Sequence, residues 1–73
     1  MTKKSHKYAI NDIVGICSDC MADCKITALL PNKTYTATAV KIHHPKPEES
    51  FFGKNKFFNV KENQIVVKLR QLN

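Results

Sequence analysis

Apolar and polar positions along the chain alternate with a period of two, and no helical period is sustained over ten or more residues. Cys24, Ile26, Ala28 and Leu30 fall on one face of a predicted strand, with Lys25 and Thr27 on the other. Residues 35–42, Tyr-Thr-Ala-Thr-Ala-Val-Lys-Ile, are rich in β-branched side chains. Pro31-Asn32-Lys33 lies between these runs with turn composition, so 24–30 and 35–42 are predicted as a hairpin. Nearer the C-terminus, Ile65, Val67 and Leu69 share one face of a closing strand.

The remaining segments complete an all-β pattern. Tyr8 and Ile10 lead in, Asn11-Asp12 reads as a turn or bulge, and Ile13 to Ile16 forms a short strand in which Gly15 marks a bend. Residues 18–23 are turn formers, and 43–50, with two prolines, form a loop. In "FFGKNKFF", 51–58, two aromatic pairs flank Gly-Lys-Asn-Lys. This predicts a second short hairpin with Lys54 and Lys56 at its tip and Phe52 and Phe57 at its base. Residues 59–63 lead into the last strand. Outside the strands, residues 1–7 are expected to be a mobile basic arm and 71–73 a frayed end, leaving 8–70 as one domain.

Five short strands with tight turns bury a face only by closing on themselves, so the expected fold is a five-stranded small barrel. The layout of "NDIVGI", "KITALLPNKTYTATAV" and "FFNVKENQIVVKL" resembles the Src-homology-3-like small barrels, including the Tudor and KOW-type modules. In such barrels a short turn or 3-10 segment often precedes the last strand, and "VKENQI" looks like one. The resemblance is one of architecture, and it implies binding rather than catalysis.

Size and charge narrow the function. A chain of 73 residues buries only roughly 60% of its unfolded surface, which leaves little material to wall a deep catalytic cleft. There is no Gly-rich phosphate loop, nucleophile elbow or paired-carboxylate constellation, so no enzyme is expected. The net charge of +6 suits nucleic acid, an anionic membrane face or an acidic protein. A Lys- and Asn-rich composition also arises without functional demand. Lys supplies nearly all the positive charge and Arg is almost absent, so contacts to a polyanion backbone are favoured over base reading. No apolar run approaches the ~20 residues of a membrane span. With no signal-peptide core, the expected compartment is the cytoplasm and the cysteines are expected to be reduced.

Cys17-x2-Cys20-x3-Cys24 is the sharpest chemical motif, and with His43 or His44 it could complete a tetrahedral zinc site. A second Cys-x2-Cys or Cys-x2-His pair is missing, and Cys24 is in phase with the apolar face of its strand. The expectation is therefore a core Cys24, an accessible Cys17 or Cys20, and no metal or other cofactor. Adjacent His43 and His44 point opposite ways in an extended chain and are expected in a solvated loop.

The functional expectation is a non-catalytic basic module that binds nucleic acid through backbone charge. The residues proposed for it are Lys3, Lys4, Lys41, Lys54 and Lys56, with Phe52 as an aromatic face. The alternative is a protein-interaction module, an adaptor or a small inhibitor of an acidic protein, to which a partner strand could add at a sheet edge. A chain of this size also suits an accessory protein of a virus or mobile element.

Overall fold

The computed structural model describes residues 6–71. Five strands, β1 (Asp12–Cys17), β2 (Met21–Leu30), β3 (Thr34–His43), β4 (Phe58–Lys61) and β5 (Ile65–Gln71), form one antiparallel sheet in the order β4-β3-β2-β1-β5. Helix is confined to single turns: 3-10 segments at Pro47–Glu49 and Glu62–Gln64, and one α turn, α1, at Phe51–Lys54. Among the described residues no helix is long and apolar enough to cross a membrane. The chain is all-β, with β4 and β5 as the two edges of the sheet.

The core is built from the inward faces of β1 to β4. Val14, Ile16, Ala22, Cys24, Ile26, Tyr35, Ala37, Phe58 and Val60 are buried together, joined by Tyr8, Phe52 and Ile65. Cys24 is fully buried, as its phase with Ile26 predicts. β1 lies between two strands and is buried along nearly its whole length; Ile13, out of phase with Val14 and Ile16, is also fully buried.

Four bulges interrupt the ladders of this sheet. Ile26 pairs with Ala37 but Ala28 pairs with Thr36, which leaves Thr27 as an extra residue in β2. Asp23 pairs with Lys41 and Cys24 with Ala39, which makes Val40 the extra residue in β3. In β5, two residues are extra against β1, Val66 and Leu69. Each bulge resets the alternation of faces beyond it. Beyond Thr27 neither face of β2 is fully covered: Ala28 and Leu30 are partly buried and Leu29 is 41% exposed. Of the predicted β5 face, Ile65 is buried, whereas Val67 and Leu69 are 44% and 43% exposed. Gly15, where a bend was expected, sits beside one of these irregularities. An added Cβ there would lie 3.1 Å from Val67 Cγ1, so the missing side chain makes room for β5.

The second hairpin is not formed. Ser50 caps the α turn by accepting the Gly53 amide on its hydroxyl, and Phe51–Lys54 coils instead of pairing with 57–58. Gly53 lies so close to the preceding 3-10 segment that a Cβ would collide with the Pro47 carbonyl oxygen. Phe51, Phe52 and Phe58 meet edge to face, with ring centroids 5.4–5.5 Å apart. This cluster anchors the turn to the start of β4. Asp19 in the β1–β2 loop accepts the Phe51 amide at 3.1 Å and ties the two connections together.

The segment before β1 is also fastened. His6 Nε2 bonds the Leu30 carbonyl at 2.6 Å, the Lys7 amide donates to Glu62, and the Tyr8 amide donates to the Tyr35 hydroxyl. His6 and Lys7, expected in a mobile arm, are thus held against the domain. At the other end Gln71 still pairs with Asp12.

Candidate nucleic-acid interface

Three connections converge at one end of the sheet. The β2–β3 turn places Asn32 and Lys33 beside the 3-10 turn Glu62–Gln64, and the Glu62 amide donates to the Lys33 carbonyl at 2.9 Å. Lys7 and Tyr8 approach from the segment before β1. Between them lies a groove of about 500 Å³ lined by Lys7, Tyr8, Asn32, Lys33, Lys61, Glu62, Asn63, Ile65 and Val66. The lining thus includes three lysines and one carboxylate, with two amides able to donate or accept.

That carboxylate is already engaged. Glu62 Oε1 accepts the Tyr35 hydroxyl at 2.6 Å and the Lys7 amide at 3.2 Å. These bonds, the tyrosine's foremost, hold the Glu62 carboxyl below the ordinary carboxylate range. Tyr35 responds in the opposite sense: its burial, and then its bond to Glu62, push the hydroxyl up to about 12. One carboxylate oxygen is thus tied to Tyr35 and to the Lys7 amide.

The turn that carries Lys33 is strained. Asn32 and Lys33 both have positive φ, 61° and 55°. Asn tolerates the left-handed region, but Lys does so only at a cost, and glycine is the ordinary residue at such a hairpin position. A lysine, rather than a glycine, thus stands at this position in the groove lining.

The residues proposed from sequence are distributed differently. Lys41 is exposed on β3, Lys54 closes α1, and Lys56 lies in the loop that follows; none of them lines the groove. Phe52 is a correction, because it is 3% exposed inside the aromatic cluster and presents no face to a ligand. The most exposed aromatic of the segment is Phe57, at 57% against 38% for Phe51, with Lys56 Nζ 5.9 Å from its ring centroid. Lys3 and Lys4 lie outside the described residues. Lys7, Lys33 and Lys61 were missed because each looks like an ordinary surface lysine. The turn at 31–33 and the 3-10 turn before the last strand are both legible in the sequence, but their meeting is not.

The cysteines occupy three environments. Cys17 is exposed, Cys20 is half-buried at the β1–β2 loop, and Cys24 is in the core. Burial, followed by the neighbouring Asp19, pushes the Cys20 thiol up; burial, followed by Asp23, pushes the Cys24 thiol up to about 12. His43 bonds Asp23 at 3.0 Å, while His44 Nδ1 accepts the Lys46 amide at 2.9 Å, so the two rings serve different partners. Among the described residues, no group of three or more His, Cys, Asp or Glu side chains is placed to hold a metal ion.

Compared with known proteins, the chain matches no family model, no curated protein and no solved structure.

Proposed function

We propose that this protein is a non-catalytic binding module whose basic groove takes the phosphate backbone of a nucleic acid. The observation that carries this reading is the convergence of Lys7, Lys33 and Lys61 from three separate connections around a carboxylate that is already hydrogen-bonded. Lysines are point charges without the fork of arginine, so the groove suits backbone charge and reads little sequence. The strained backbone at Lys33 supports the same reading, since strain of this kind persists where function holds it.

The fold belongs to the same proposal. A sheet ordered β4-β3-β2-β1-β5, bent by four bulges and entering its last strand through a 3-10 turn, suits a coiled, Src-homology-3-like small barrel with the groove at its mouth. The bulges also bear on the rival reading. A partner strand adds most readily to a long, regular edge, and β5 carries two extra residues within seven. This weighs against an adaptor or inhibitor that works by strand addition at β5.

Binding of labelled single- and double-stranded oligonucleotides at low salt tests the proposal. Wild-type protein retains nucleic acid, and replacing both Lys33 and Lys61 with Glu abolishes retention while the fold persists. If wild-type protein retains none, the charge faces an acidic protein or has no partner.

A further inference from the structure

We propose that the outward row Phe57, Asn59 and Lys61 is a track for single-stranded nucleic acid, in which Phe57 stacks an unpaired base and Lys61 hands the backbone into the groove. The inference rests on the polyanion reading above and adds to it the form of nucleic acid that is bound.

β4 alternates strictly: Phe58 and Val60 point into the core, Asn59 and Lys61 outward. Phe57, immediately before the strand, is in phase with the outward pair and is 57% exposed. The other three phenylalanines contact one another, which leaves Phe57 outside that cluster. Lys61 belongs to both the row and the groove, so the two surfaces are continuous. At about 3.3 Å per residue, Phe57 and Lys61 stand roughly 13 Å apart along an extended strand, room for a short run of nucleotides.

The chemistry along the row fits that occupant. From Phe51 to Lys61 the sequence holds Lys54, Lys56 and Lys61 and no acid. Thr36 Oγ1 donates to Asn59 Oδ1 at 2.9 Å, so the oxygen is engaged and the amide nitrogen is the group that can donate to a ligand. Lys56 Nζ lies over the Phe57 ring, 5.9 Å from its centroid, so a base stacking on that face would displace the ammonium toward its own phosphate. Aromatic faces flanked by lysines hold single strands with little regard to sequence, because every unpaired base has a face to stack. A duplex offers none along its length.

Three probes of equal length separate the ring from the charge: oligothymidylate, an abasic oligomer and a duplex, each titrated with wild-type protein, Phe57→Ala and Phe57→Tyr. Wild-type protein should bind oligothymidylate about tenfold more tightly than the abasic strand, as one aromatic stack allows. Phe57→Ala should bring that ratio close to one without changing affinity for the abasic strand, and Phe57→Tyr should keep the preference. The inference is overturned if wild-type protein binds the three probes alike or prefers the duplex. It is equally overturned if Phe57→Ala weakens both single strands by the same factor. In each of those cases the groove proposal stands; loss of all binding by wild-type protein removes both.

Discussion

The Tyr35 hydroxyl donates to Glu62 Oε1 at 2.6 Å while accepting the Tyr8 amide at 3.2 Å. One oxygen thereby joins β3, the 3-10 turn before β5 and the segment before β1, the last two of which line the groove. His6 adds an edge-to-face contact with the Tyr35 ring at 5.0 Å, so the ring itself is also enclosed.

Tyr35→Phe removes that oxygen and keeps the ring. The Tyr8 amide loses its acceptor and Glu62 its strongest donor, so the variant should be less stable by about 1–3 kcal/mol in denaturant melts. The pH profile should change on both limbs. Glu62 titrates lower in the folded protein than in the unfolded chain, so its contribution is complete above the ordinary carboxylate range and is lost as pH falls through its folded value. Tyr35 titrates higher when folded, so its contribution is complete below the ordinary phenol value of about 10. That contribution is lost as pH rises through about 12. Both limbs should flatten in Tyr35→Phe. An unchanged profile would show that the hydroxyl does not couple these segments.

Lys33→Gly separates stability from binding. Glycine adopts the observed φ of 55° without the side-chain penalty, which is on the order of 1–2 kcal/mol for other residues. Glycine's greater freedom in the unfolded chain offsets part of that gain. The variant should therefore melt at the same temperature or slightly higher, yet bind oligonucleotides more weakly. A variant that is destabilised, or that binds as well as wild type, would place the role of Lys33 elsewhere.

The three thiols should react in order of exposure. Cys17 should be modified rapidly by a neutral thiol reagent, Cys20 more slowly, and Cys24 only on unfolding, since its thiol is buried and its pKa is raised to about 12. Cys24→Ser should cost about 1–3 kcal/mol by placing a hydroxyl among apolar groups. Cys17→Ser should be close to neutral. Rapid modification of Cys24 in the native protein would contradict the core described above.

Sequence patterning carried the fold as far as local rules extend. Cys24 and Ile26 are buried where their alternation places them, and Pro31-Asn32-Lys33 turns the chain. Alternation failed beyond Thr27 and along β5, because neither face is fully covered there: Leu29, Val66, Val67 and Leu69 are all exposed. At "FFGKNKFF" the symmetry of the aromatic pairs suggested a hairpin, whereas Pro47 and the capping Ser50 were the signals of coiled turns. The groove was least legible. Lys7, Lys33 and Lys61 are far apart in sequence, and only the packing of the β2–β3 turn against the 3-10 turn brings them together.

The central claim is that this groove holds phosphate, and the salt dependence of oligonucleotide binding measures it most directly. Each phosphate neutralised on a single strand contributes about −0.7 to the slope of log K against log salt, so the three groove lysines should give a wild-type slope of at least about −2. Replacing Lys33 and Lys61 together with Gln should make the slope shallower by about 1.4, while replacing Lys41 with Gln should leave it unchanged. A wild-type slope near zero, or one that follows Lys41 and ignores Lys33 and Lys61, would contradict the assignment.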